Sequence, residues 1–139
     1  MNKTRNNELI KLAYDKLRKS NIPTGEHKED IAETYDGKTA ALSVSVAMSD
    51  LLPTLAIYFQ DFDAKHRDAP CRRNVLNVVA TMITVPKQNV KFKDAEALLR
   101  HAIEHSEDIA YLKKEVIDCS IALKQVVRTY NLVKNEESA

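Results

Sequence analysis

The chain has 139 residues, a net charge of +1, two glycines and no tryptophan. That length suits one domain with a real core, and the scarcity of glycine disfavours turn-rich all-β folds. The composition predicts an all-α protein: a compact bundle of five or six helices around a central apolar helix, in a single helical domain over residues 1–139.

Leu9, Ile10, Ala13, Tyr14 and Leu17 recur at helical spacing, with Lys11, Lys16, Arg18 and Lys19 off that stripe, so the first helix reads as amphipathic and basic on its solvent side. Met1 to Arg18 is charged throughout and no apolar run with a small-residue cleavage site follows, which reads as the lack of a signal peptide and predicts a cytoplasmic protein. Asn21 to Gly25 is turn chemistry. Thr24 can then cap a second helix with Glu26 in its first turn and Ile31, Ala32 and Tyr35 as apolar contacts. Gly37 marks either a break before the central helix or a tolerated glycine within one long helix.

Lys38 to Gln60 holds most of the unbroken apolar character, with Asp50 the single charge between Ala40 and Phe59. A bilayer span needs roughly 20 largely apolar residues. Ser43, Ser45, Ser49, Asp50, Pro53 and Thr54 put polar or helix-breaking groups through the middle of this segment, so it reads as a helix buried in a bundle. Pro53 either kinks it near Ser49 and Asp50 or belongs to a second helix that these two residues cap.

Asp61 to Arg73 has no apolar periodicity and carries Lys65, Arg67, Arg72 and Arg73, a dense basic cluster. Pro70 stands where a first helical turn would begin, and Val75, Leu76, Val79, Met82 and Ile83 make a buried helix that ends before Pro86. Val85 to Lys93 is a second basic connection. Asp94 leads a helix with Leu98, Leu99, Ala102 and Ile103 inward, and Ser106 with Glu107 and Asp108 caps and charges the start of the last one. In that last helix Ile109, Leu112, Val116, Cys119, Leu123, Val126, Tyr130 and Val133 advance in steps of three and four, a sustained heptad widened by Ile117 and Val127. Met1 to Asn6 and Asn135 to Ala139 read as frayed ends.

Few residues of the sequence point to chemistry. His101-Ala-Ile-Glu-His105 matches the pattern in which two imidazoles on one helical face bind zinc beside a glutamate base. The match is short, lacks a recognisable third ligand, and reads as two solvent-facing histidines. Cys71 and Cys119 form no paired motif and read as ordinary thiols. With no Ser, His and Asp constellation and no phosphate-binding glycine loop, the sequence predicts no enzyme, no cofactor and no metal.

Charge is segregated despite the small net value. Met1 to Lys19 has six basic against two acidic residues, and Glu26 to Asp36 has one against five. Lys38 to Gln60 is balanced, Asp61 to Lys93 has seven against three, and Asp94 to Ala139 has six against nine. Such blocks offer a basic face to a polyanion and an acidic face to a protein neighbour. With no exposed aromatics evident, any contact with a polyanion is expected at its charged backbone, independent of sequence.

A tyrosine before a small linker, then Ser49-Asp-Leu-Leu-Pro-Thr-Leu-Ala-Ile-Tyr-Phe59, then a last helix ending Ala122-Leu-Lys-Gln-Val-Val-Arg128, resembles the small helical subunit of type III-B CRISPR effector complexes, the Cmr complex. The likeness covers about two thirds of the chain. In that family the central segment reads Asn-Gly-Leu-Leu, so Asp50 stands where the family has glycine. The last helix there commonly carries Trp-Leu-Lys-Arg, of which Leu123 and Lys124 remain. The resemblance implies a non-catalytic subunit that stacks in several copies against itself and the other subunits and helps hold guide and target RNA, with no membrane association. The candidate RNA contacts are Lys65, Arg67, Arg72 and Arg73 in the loop, and Lys16, Arg18 and Lys19 at the end of the first helix. Lys124 is added by its match to the family's terminal motif. The rival class is a standalone dimeric adaptor that uses the C-terminal heptad helix.

Overall fold

The computed structural model describes residues 1–134. The frayed end expected at Asn135 to Ala139 lies outside the described residues. The chain runs through α1 (Lys3–Arg18), β1 (Asp30–Ala32), α2 (Thr34–Ser49), α3 (Leu51–Gln60), α4 (Arg72–Thr81), β2 (Thr84–Val85), β3 (Val90–Lys91) and α5 (Ala95–Glu104). A single 3-10 turn (Ser106–Asp108) then leads into α6 (Ile109–Val127) and β4 (Asn131–Val133). Among the described residues the predicted bundle of five or six helices has six, together with two small two-stranded sheets that an all-α fold does not contain.

The N-terminus is not frayed. Asn2 caps α1, its side chain accepting from the Arg5 amide at 2.8 Å, so the helix starts at Lys3. Leu9, Ala13 and Leu17 are buried along it, whereas Tyr14, placed inward by its spacing, is 52% exposed. No helix begins at Thr24. The Thr24 amide donates to the Asp30 carbonyl at 2.7 Å and the Asp30 amide donates to the Thr24 carbonyl at 3.1 Å, closing a loop through Gly25 at φ 96°. Ile31 is then carried into the core on β1, which pairs in parallel with β4 through Asp30 with Asn131, Ile31 with Leu132 and Ala32 with Val133.

The apolar segment Lys38 to Gln60 is two helices. Asp50 divides them at φ 78° and ψ 171°, and its side chain accepts from the Leu51 amide at 2.8 Å, so the capped second helix is the correct alternative. Pro53 sits in the first turn of α3, where no intrahelical donor is lost. Gly37 lies inside α2 with open space around it. An L-residue at the φ and ψ of Asp50 is strained. Asp50→Gly is therefore expected to raise the thermal midpoint despite removing the cap and the 3.3 Å Lys113 ion pair, and a midpoint that falls would show that the cap outweighs the strain.

The most embedded element is α6, which packs most extensively on α1 and α2. Helices α3, α4 and α5 pack on one another to form the other half of the bundle. Leu112, Val116, Cys119, Leu123 and Val126 are buried along α6, which makes it, and not Lys38 to Gln60, the helix that the others cover. The helix stops at Val127, so Tyr130 and Val133 of the predicted heptad lie in a turn and on β4. Among the predicted core, Leu51, Leu55, Val79, Leu99, Val116 and Leu123 are buried, Phe59 is half-buried, and Leu52 and Ile103 are 37% and 54% exposed. The α1–α6 seam carries one ionic knot that the sequence does not announce. Arg5 Nη2 lies 2.5 Å from Glu115 and Arg5 Nε lies 3.1 Å from Asp118, which satisfies two carboxylates that α6 has buried.

Cys71 and Cys119 are free and buried. Burial, followed by the nearby Glu115 carboxylate, pushes the Cys119 thiol up to about 12, so it stays protonated and unreactive near neutrality. No helix among the described residues is long and apolar enough to cross a membrane.

Candidate nucleic-acid interface

Helical geometry sorts the basic end of α1 onto two sides. Tyr14 and Arg18 are four residues apart and share one face, while Lys16 and Lys19, three apart, share another. Arg18 and Tyr14 line a groove together with His27, Lys28 and Tyr130. The β1–β4 pair builds its far wall: the Asn131 amide donates to the Glu29 carbonyl at 3.1 Å, and Asn131 Nδ2 donates to Asp30 Oδ1 at 2.8 Å, which seats the 27–29 turn beside Tyr130. Lys28 reaches it from a left-handed backbone, φ 57°. The groove is open to solvent and measures 670 Å³. Desolvation raises the Tyr130 hydroxyl above its ordinary value and keeps it a neutral donor. Tyr14, which the sequence pattern places on the core stripe, is 52% exposed in a groove that holds Arg18 and Lys28 together with Glu29, and its ring can stack on a base whose phosphate meets arginine or lysine.

Lys16 and Lys19 line a second groove with Asn21 and Asn77, and Lys93 joins them from beyond the β2–β3 hairpin. Lys19 and Arg18 already have an acidic neighbour: Asp15 lies 3.0 Å from Lys19 and 3.6 Å from Arg18, and its carboxyl is held below the usual range chiefly by the Lys19 hydrogen bond. These pairs are exposed, contribute little to stability and leave the cations available to a phosphate.

The loop cluster is not four free charges. Arg73 Nε donates to the Phe59 carbonyl at 2.6 Å, and its guanidinium lies 4.1 Å from the centre of the Phe59 ring and 4.5 Å from that of Phe62. Arg73 packs on two aromatic rings and pins the loop to α3 through its Nε, so it does not stand as a free charge. Arg72 reaches Asp61 at 3.7 Å, and Asp61 also caps α4 by accepting the Arg72 amide at 2.7 Å. Lys65 and Arg67 are exposed, with Arg67 5.7 Å from the centre of the Phe62 ring. Asp61, Asp63 and Asp68 interleave with the four cations, so the loop is far less basic as a surface than as a string. Lys124 is half-buried in the last turn of α6 and lines neither basic groove.

The structure therefore brings together Arg18 and Lys28 with two tyrosines, and Lys16 and Lys19 with Lys93. It does not merge the α1 group and the loop group into one face through these grooves. Lys28, Lys93, Tyr14 and Tyr130 were not among the sequence candidates. A cation inside the acidic stretch Glu26 to Asp36 gave no local signal, and Tyr14 fell on the predicted core stripe. His101 is a further correction, since it is not solvent-facing: its side chain is 11% exposed and lies 2.7 Å from Asp108. The chain matches no protein-family model, no curated protein and no solved structure.

Proposed function

We propose that this chain is the small helical subunit of a type III-B CRISPR effector complex, a non-catalytic cytoplasmic protein of antiviral defence. It stacks in several copies along the filament and helps hold the guide and target RNA, mainly through their backbones. The observation that carries the reading is Asp50. The position at which the resembling family has glycine is the one with φ 78° and ψ 171°, a backbone that glycine adopts freely and other residues seldom do. A Gly-Leu-Leu motif at that point is explained by the sharp α2–α3 junction, and Asp50-Leu51-Leu52 meets the same demand with a capping carboxylate.

Two surface features agree with this role. The basic grooves at the end of α1 suit phosphate contacts, which position a strand without reading its sequence. Val44, Met48, Leu52, Ile57 and Ile103 are large apolar side chains left exposed on α2, α3 and α5, as expected of a subunit with protein neighbours. The rival adaptor depends on the α6 heptad, and that stripe is buried against α1 and α2.

Affinity purification of the native protein from its host tests the assignment. Recovery of other CRISPR effector subunits together with a guide RNA is expected. Recovery of the chain alone as a stable dimer, with no nucleic acid and no such subunits, would refute the assignment and favour the adaptor.

A further inference from the structure

A second cluster, unused by the RNA reading, lies at the end of α5. His101 and His105 are one helical turn apart and project from one face, their rings stacked with centroids 4.2 Å apart and planes at 23°. The chain then leaves the helix at His105, with φ −127° and ψ 77°, and the 3-10 turn brings the next carboxylates back toward the imidazoles. Asp108 Oδ2 lies 2.7 Å from His101 Nε2, and Glu107 Oε2 lies 3.2 Å from His105 Nδ1. One ligand atom from each of His101, His105 and Asp108 falls within 4.8 Å of the other two.

Two details separate this cluster from a chance ion pair. Asp108 occupies the N-cap position of α6, where an aspartate ordinarily accepts a backbone amide, yet its side chain caps nothing and is committed to His101 instead. Phe92 packs against the His101 ring edge-on, with centroids 5.3 Å apart and planes at 68°, which fixes the orientation of the imidazole. Orientation by a neighbouring group is what a metal-ligating histidine needs.

We propose that His101, His105 and Asp108 bind a divalent transition metal of borderline softness, with zinc the best fit. Two imidazoles and one carboxylate suit such an ion, whereas magnesium and calcium favour all-oxygen sites. Zinc bonds of about 2.0 to 2.2 Å put tetrahedral ligand atoms about 3.3 Å apart. The His101–Asp108 pair opens slightly from 2.7 Å to meet that spacing, and the more distant atoms close from at most 4.8 Å. All three residues are half-buried. The ion replaces the direct His101–Asp108 contact, and it ties the end of α5 to the start of α6. The fourth position is left to water or to Glu107, whose carboxylate already lies beside His105.

Cobalt(II) titrated into the full, untagged, metal-free chain provides the probe. The visible ligand-field band of a four-coordinate site is expected to saturate at one equivalent and to vanish when zinc is added. His105→Ala and Asp108→Asn alter half-buried groups outside the hydrophobic core, and circular dichroism checks that both variants fold. Each is expected to weaken cobalt binding at least about tenfold. Zinc is expected to raise the thermal midpoint of the wild type and of neither variant. The proposal is overturned by a wild-type spectrum with no saturable four-coordinate band, or by equal cobalt affinity in the folded variants.

Discussion

Leu123→Ala is expected to cost about 2 to 5 kcal/mol of folding stability, the range for truncating a fully buried leucine whose surroundings relax only in part. Leu123 has no exposed surface and lies on α6, the helix that α1 and α2 cover. Alanine is at least as good a helix former as leucine, so the loss comes from packing and not from backbone propensity. Against a typical total of about 5 to 15 kcal/mol this is a large fraction, and in a domain of this size it should lower the thermal midpoint by about 10 °C. Leu52→Ala is the paired control. Leu52 is 37% exposed on the outer side of α3, and its truncation should cost less than about 1 kcal/mol. Equal midpoints for the two variants would contradict the arrangement of α6 and α3 described above.

The contrast between those two leucines also shows what could be read from the sequence. Both belong to apolar helical runs, and hydrophobicity alone does not separate them. Helical phase within α3 does, and that phase depends on the break at Asp50. The α6 stripe was readable because its three-four spacing persists for many turns. Its overextension to Tyr130 and Val133 has a local cause: the Thr129 hydroxyl donates to the Val126 carbonyl at 2.7 Å and competes with the helical ladder, and the chain then pairs as β4. The helix predicted after Thr24 failed for a non-local reason. Ile31 has a strand partner in Leu132, near the opposite end of the chain, and no local pattern reveals such pairing.

Site residues were harder to read for the same reason. Lys65, Arg67, Arg72 and Arg73 are dense in sequence, but Arg73 is held between Phe59 and Phe62 and Arg72 is beside Asp61. Conversely, Lys28 lies in an acidic stretch and Lys93 beyond a hairpin, and each joins a groove only because the fold delivers it to the end of α1. Asp108 behaves likewise. It was visible as an acid near a helix start, and only the turn after His105 sets it against the two imidazoles.

The combined reversal of Arg18→Glu and Lys28→Glu in the assembled complex carries the second large effect. Both side chains are exposed, and the Arg18–Asp15 pair is weak and exposed, so folding is expected to survive. Each copy then lacks two cations in the groove beside Tyr14 and Tyr130, and stacking multiplies the deficit along the strand through effective concentration. The isolated chain touches few phosphates and should bind RNA weakly in either form. For the whole complex, target-RNA affinity should fall by at least about tenfold, to the same extent for unrelated sequences. The slope of log affinity against log salt should become shallower by about 0.7 for each phosphate that is no longer neutralised. That salt titration, run on wild-type and reversed complexes with two unrelated target RNAs, tests the RNA-holding role most directly. A shallower slope and a uniform drop in affinity are predicted, whereas an unchanged slope and affinity in a fully assembled, folded complex would contradict it.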